Sequence, residues 1–220
     1  MHSKLENWQV KEGLELIREI GIKSGHIVLD FGARHGNYSI PAAKVVGEMG
    51  WVFAIDKNQE ALDILAERVS KKGLSNVILI NNSNTESGVE EGAFHSAPPL
   101  IPLKTRAIDV VLLYDVIHLM GYEGNGDTIR RSGREDRKLL YREVHRVLKS
   151  SGIVSVYPKH LDTHTDISTK EDLIEEIEKS GFCHKASMIR SLLHDDNLER
   201  GEILNFMVRQ AQDLSELERD

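Results

Sequence analysis

At 220 residues, 40% of them hydrophobic and 29% charged, the chain can build one α/β domain around a single sizeable core but not two domains of ordinary size. A formal net charge of −7 repels phosphate backbones and anionic membranes, which excludes nucleic acid as a default partner. The lone cysteine, Cys183, excludes an intrachain disulfide and a cysteine-rich metal site and fits a reducing compartment.

In chain order, Val10, Leu14 and Ile17 fall at i, i+4 and i+7 and predict a helix that ends near Gly21. The run HIVLDF (His26–Phe31) reads as a strand, and the following helix carries Pro41 in its first turn, where a missing N–H costs nothing. WVFAID (Trp51–Asp56) is a second strand. The next helix carries Leu62, Leu65 and Val69 and stops at Gly73. NVILIN (Asn76–Asn81) is a third strand. Ser83 to Arg106 holds three of the five prolines without a sustained period, so it reads as a long surface connection.

AIDVVLLYDV (Ala107–Val116) is a fourth strand, apolar enough for burial on both faces. A second polar, glycine-rich connection spans Gly121 to Glu135, and Leu140, Val144, Val147 and Leu148 then mark a helix. GIVSVYP (Gly152–Pro158) is a fifth strand. Ser168 and Glu171 form a capping-box pattern before a helix with Leu173, Ile174 and Ile177 that ends at Gly181. FCHKASMI and EILNFMVRQ are close enough to form an antiparallel pair. This alternation predicts a mostly parallel sheet wrapped by helices, an α/β three-layer fold. The expected organisation is a helical segment at 1–20 packing on the core, a domain at 21–210 and an acidic tail at 211–220. The polar Met1 end and the absence of a run of ~18 apolar residues point to a cytoplasmic protein.

The candidate site begins in DFGARHGN, where Gly32 and Gly36 supply a tight strand-to-helix turn that offers backbone N–H groups and a positive dipole end. Asp56 closes the second strand, where a carboxylate can accept hydrogen bonds from vicinal ribose hydroxyls. Together they narrow the ligand to an adenosine-type cofactor. A dinucleotide would require Gly-x-Gly-x-x-Gly, which is missing, and none of the five tyrosines has a lysine four residues on, as a short-chain dehydrogenase would. S-adenosyl-L-methionine carries no phosphate, and an Asp-x-Gly-x-x-x-Gly loop suits its zwitterionic end.

The segments VLDFGARHGNYSIPAAKVVG, VFAIDKNQEALD, AIDVVLLYDVIHLM and LLYREVHRVLKSSGIVSVYP, in that order, resemble the signature segments of class I S-adenosylmethionine-dependent methyltransferases, in particular the ubiquinone/menaquinone-type branch acting on small molecules. The resemblance covers about Gly21 to Gln210. It implies a Rossmann-like, seven-stranded sheet in the order 3-2-1-4-5-7-6 with the last strand antiparallel. It also implies that Asp30, Gly32, Ala33 and Gly36 line the methionine end and that Asp56, with Lys57 beside it, holds the ribose. Ser83 and Asn84 would meet the adenine, and Tyr114 and Asp115 would lie beneath the methionine part. Three positions depart from the pattern. Arg34 replaces the middle glycine, and could pair with the cofactor carboxylate, face solvent or block the cleft. Ser83 and Asn84 stand where an acid is usual. LKSSG replaces a Leu-Lys-Pro-Gly-Gly turn.

Methyl transfer from a sulfonium is an in-line displacement that needs alignment and exclusion of water, and a base only when the acceptor arrives protonated. His118, after LLYDVI, and His160, preceded by Lys159 after VSVYP, are the candidates for that base. His118 could equally pack at a helix start. HLDTHTD places His160, Asp162, His164 and Asp166 close in sequence, but a loop does not align i and i+4, and no metal site is expected there. The arginines from Arg130 to Arg146, interspersed with Glu135, Asp136 and Glu143, read as a solvated helix face, and Trp8 and Trp51 as packing residues. The expected activity is methyl transfer to a small molecule, with a catalytically silent binding module and an RNA methyltransferase as alternatives. A homodimer is left open.

Overall fold

The computed structural model describes residues 4–83, 100–120, 133–161, 165–194 and 197–210. The chain begins with two helices, α1 (Lys4–Val10) and α2 (Glu12–Glu19), where the Val10, Leu14, Ile17 spacing predicted one. Val10 is 49% exposed, and the buried set is instead Trp8, Leu16, Ile17 and Ile20. Trp8 decides the break. Its ring lies over Gly13, where a Cβ would stand 2.8 Å from Cζ3, and its indole N–H donates to the Ser191 carbonyl at 3.0 Å. Burying that ring with its polar end paired outweighs one continuous helix.

From there strands and helices alternate. They are β1 (Ile27–Phe31), α3 (Ser39–Val46), β2 (Trp51–Asp56), α4 (Gln59–Lys71), β3 (Val77–Asn81) and β4 (Ile108–Tyr114). A single 3₁₀ turn (Ile117–Leu119), α5 (Gly133–Val147), β5 (Leu148–Tyr157), α6 (Lys170–Glu178), β6 (Phe182–His194) and β7 (Asn197–Val208) complete the described chain. The seven strands form one sheet in the order β3-β2-β1-β4-β5-β7-β6, with β7 antiparallel to both β5 and β6. This is the order that the resemblance implied. β4 alternates between two apolar layers: Val111 and Leu113 meet Leu140, Val144 and Val147 of α5, while Val110 and Leu112 face Ile17, Ala42, Ala43 and Val46.

Several details differ from the sequence reading. β5 starts at Leu148, but its pairing with β4 passes from Ile108–Leu148 to Val110–Ile153, so LKSSG bulges out of the ladder before the regular strand begins. The capping box lies one residue later than Ser168 and Glu171: the Thr169 hydroxyl accepts the N–H of Asp172, and the Asp172 carboxylate accepts the N–H of Thr169. Thr169 is extended, which suits a residue just outside a helix. The arginines are not all solvated. Arg137 is buried, donating to Glu176 at 2.7 and 2.9 Å and to Asp166 at 2.7 Å. Trp51, at the exposed start of β2, packs less than expected, with 42% of its surface open. Of the long connections read at Ser83–Arg106 and Gly121–Glu135, 84–99 and 121–132 lie outside the described residues, as does the acidic tail; 100–106 carry no helix or strand, and Gly133–Glu135 already belong to α5.

The β6–β7 hairpin matters for the site. Val156 near the end of β5 pairs with Leu204, so the β7 residues before Ile203 run beyond the carboxyl edge of the sheet and carry the end of β6 with them. The arm is anchored by Trp8 on Ser191 and by Tyr38, whose hydroxyl donates to the Leu193 carbonyl and accepts the Leu193 N–H. Gly201 lets it lie against Tyr157, since a Cβ there would stand 2.5 Å from Cε2.

Candidate active site

Because β1 and β4 are neighbours whose following connections lead to opposite sides, a crevice opens at their carboxyl ends. The glycine loop lines it. Gly32 has φ 81° and Gly36 φ 76°, both left-handed, and Arg34 between them has φ 44°. The loop therefore requires the backbone that the family glycine would supply, and arginine adopts it at a cost on the order of 1 kcal/mol. Arg34 is exposed. Gly36 serves packing: a Cβ would stand 2.1 Å from Leu65 Cδ1.

The loop N–H groups do not all face the crevice, as a simple helix-start picture would have it. Those of Gly32 and Ala33 donate to the Ile55 carbonyl at 2.8 and 2.9 Å, and that of Arg34 donates to Asp56 Oδ2 at 2.7 Å. The other Asp56 oxygen accepts the Asn58 N–H at 2.9 Å. Each carboxylate oxygen so held keeps acceptor capacity for one more donor. Gln9 of α1 donates to the carbonyls of Gly36 and Asn37, both at 3.3 Å, and Arg68 of α4 donates to the His35 carbonyl, which clamps the loop from outside.

Asp30 is buried at the end of β1. Burial, reinforced by the nearby Asp56 charge, pushes its carboxyl up from an ordinary 3.8 to about 6, against hydrogen bonds from the Ser39 side chain and backbone. Across the crevice, Tyr114 is buried with its hydroxyl 2.9 Å from Ser155 Oγ, and burial raises its pKa. Its ring stands edge-on to Tyr38 and Tyr157, at 4.5 and 6.3 Å.

Asp115, just past β4, turns through φ 55° and gathers three imidazoles. His118 Nδ1 and His160 Nδ1 each lie 3.2 Å from Oδ1, and His194 Nε2 lies 2.8 Å from Oδ2. Burial raises the pKa of Asp115, but the histidines, His118 foremost, more than offset it and hold the carboxyl below its ordinary value. Behind His194, Glu199 accepts from Tyr157 and from Lys159 Nζ, the latter at 2.9 Å.

A family profile described as a methyltransferase domain matches residues 22–206. This chain belongs to that methyltransferase domain family. In backbone it is similar to a SAM-dependent methyltransferase from Aquifex aeolicus, with a TM-score of 0.65 at 19% identity over 91% of this chain and 92% of the other. It is also similar to TYW2 of M. jannaschii, solved in complex with AdoMet, with a TM-score of 0.51 at 20% identity over 94% and 78% of the two chains. At such identities these likenesses speak to the fold alone. Among curated proteins, a probable cobalt-precorrin-6B C(15)-methyltransferase (decarboxylating) of Saccharolobus solfataricus is 35% identical over 65 residues, or 29% of this chain. The match spans only 33% of that relative's length.

Within this methyltransferase domain the sequence-predicted residues form two groups. Asp30, Gly32, Ala33, Gly36 and Asp56 surround the β1–β2 end, with Arg34 and Lys57 exposed at its rim. Tyr114, Asp115, His118 and His160 surround the β4–β5 end. Ser83 is exposed after β3 with its N–H on Asn81 Oδ1, while Asn84 lies outside the described residues. Of the HLDTHTD residues, Asp166 pairs with Arg137 and His160 turns to Asp115, while Asp162 and His164 lie outside the described residues. Sequence reasoning missed His194, Gln9, Arg68 and Ser39. His194 is brought by the hairpin arm and Gln9 and Arg68 by the packing of α1 and α4, while Ser39 begins α3 directly after the loop and reaches back to Asp30. Among the described residues no helix is long and apolar enough to cross a membrane.

Proposed function

We propose that this domain binds S-adenosyl-L-methionine over the carboxyl ends of β1 and β2 and transfers its methyl group to a small-molecule acceptor held at the ends of β4 and β5. One observation carries the reading. Asp56 is fixed by one backbone N–H on each oxygen and keeps both oxygens available, an acceptor pair that suits the two hydroxyls of a ribose. Asp30 adds a second fit: a buried carboxyl with a pKa near 6 is stabilised as an anion by the ammonium of the methionine end. When bound, the cofactor supplies an electrophilic methyl group on its sulfonium.

The chain's own residues do the rest. Asp30, Gly32, Ala33 and Gly36 seat the methionine end, Asp56 the ribose, and the residues after β3 the adenine. Tyr114 and its aromatic neighbours wall the crevice from water. His118 and His160 are the proton acceptors for a protonated acceptor: His160 is hydrogen-bonded through Nδ1 to Asp115, which leaves its Nε2 to take the proton, and His118 lies with Nδ1 3.2 Å from the same carboxylate. A small-molecule acceptor accords with the −7 charge, which disfavours RNA, and with the precorrin acceptor in the curated relative's name. That name gives no support to a quinone acceptor.

Calorimetry with S-adenosylhomocysteine tests the proposal. The expected result is binding that weakens about 10- to 100-fold in Asp56→Ala, the worth of hydrogen bonds to a charged group. No detectable heat at millimolar ligand would overturn the reading and leave a methyltransferase-like binding module.

A further inference from the structure

The carboxylate–imidazole cluster at the ends of β4 and β5 exceeds what proton transfer alone requires. One histidine oriented by Asp115 would suffice for a base, yet three converge on it from the 3₁₀ turn, the segment after β5 and the end of β6. Asp115, His160 and His194 each offer a ligand atom, and these atoms all lie within 4.8 Å of one another. We propose that these three side chains hold a first-row divalent transition-metal ion on the acceptor side of the crevice.

Four features support the site. The donor set of two imidazoles and one carboxylate suits zinc, iron(II) or cobalt(II) and is a poor cage for magnesium or calcium, which take oxygen ligands. Three protein ligands leave a position open, the pattern of catalytic and not of structural sites. The cluster is partly enclosed: the side chains of Asp115, His160 and His194 keep 19%, 34% and 15% of their surface. Tetrahedral bonds of about 2.0–2.2 Å place ligand atoms roughly 3.4 Å apart, so closing on an ion takes small side-chain movements and no change of fold.

The backbone and the outer layer point the same way. Asp115 and His160 both sit in the left-handed region, at φ 55° and 57°, so each strand end carries a strained residue that aims its side chain at the same point. Glu199 stands 3.8 Å from His194 Nδ1, on the far side of the ring from Asp115, and is itself held by Tyr157 and Lys159. At that distance it makes no hydrogen bond to the ring, but a shift of under about 1 Å would bring it within reach, where a carboxylate orients a ligand histidine. Glu199 reaches this place because the β6–β7 arm overhangs the sheet. His118 shares the same carboxylate outside the three-donor set and is then the base, a role that His160 gives up when it holds the ion.

The position also indicates what the ion would meet. Val116, beside Asp115, lies against the glycine loop, 3.1 Å from where a Gly32 Cβ would stand. An ion beside that loop selects acceptors that present a hydroxyl or carboxylate oxygen to it, holds that oxygen in place and lowers the pKa of a hydroxyl. This last step rests on the methyl-transfer reading; the metal site itself does not.

The test uses the full chain without a histidine tag, stripped with chelator and titrated calorimetrically with Zn²⁺ and, in parallel, with Mg²⁺. The expected result is one Zn²⁺ per chain at micromolar affinity or tighter, no comparable heat with Mg²⁺, and visible d–d bands when Co²⁺ replaces it. His194→Ala and His160→Ala should each weaken Zn²⁺ binding at least ~10- to 100-fold, while His184→Ala, far along β6, should not. His194→Gln serves if the alanine variant fails to fold. Zn²⁺ binding weaker than millimolar, or binding that both substitutions leave unchanged, would overturn the site. S-adenosylhomocysteine titrated into the stripped chain separates the two proposals: metal without cofactor binding sinks the methyl-transfer reading alone, and cofactor without metal binding sinks the metal site alone.

Discussion

Asp30 should make the protein less stable as the pH rises through the mildly acidic range, and Asp30→Asn should remove that dependence. Below about pH 4 the carboxyl is protonated in both the folded and the unfolded chain, and its charge contributes nothing. Between about pH 4 and pH 6 the unfolded chain releases the proton while the folded chain retains it, because burial holds the folded pKa at about 6. Stability therefore falls across that window, and the whole cost is present above it. The interval from 3.8 to about 6 corresponds to roughly 3 kcal/mol, and burial leaves little solvent to screen it. For a chain of this size that is a melting shift on the order of 6–12 °C. Asparagine has nearly the same volume and can still accept from the Ser39 hydroxyl. Denaturant and thermal unfolding of both proteins at pH 4 and pH 8, without cofactor, would measure it. The variant should match the wild type at the lower pH and exceed it at the higher, while S-adenosylhomocysteine affinity falls at pH 8. A difference that does not change with pH, or a variant less stable at pH 8, would refute a destabilising charge at this position.

Gly36→Ala should cost about 2–4 kcal/mol in urea unfolding, the sum of a left-handed backbone and a Cβ driven into Leu65, and adding Leu65→Ala should recover less than the overpacking part. Arg34→Gly should gain on the order of 1 kcal/mol in the same assay, since φ 44° is easy for glycine; a loss would show that the arginine side chain earns its place. Glu176→Gln should destabilise by about 3 kcal/mol, because it leaves the buried Arg137 guanidinium with Asp166 as its remaining charged partner, and Arg137→Met should be milder than that substitution.

The sheet was legible in the sequence because the parallel strands read as short apolar runs, most completely β1 and β4, which are buried on both faces, while the helices show apolar stripes at period 3.6. The β1–β2 part of the site was legible for a related reason. A glycine turn and an acid at a strand end are local features, and parallel pairing of β1 with β2 brings them together without further help. The positive φ at Arg34 falls where the family that the loop resembles carries a glycine. What the sequence misjudged was local geometry under tertiary control: the first helix divides because Trp8 needs Gly13 beneath it, and Arg137 leaves the solvated face because Glu176 and Asp166 meet it inside.

The imidazole cluster belongs wholly to the tertiary structure. His118 and His160 are read from their places after strand ends, but His194 lies 79 residues beyond Asp115, at the end of a strand whose sequence looks like an ordinary edge. It arrives because β7 pairs antiparallel with β5 in a register that carries the hairpin past the sheet, and because Trp8 and Tyr38 hold that arm down. Period and composition are properties of neighbouring residues, whereas a register between distant strands is settled only when the whole core packs.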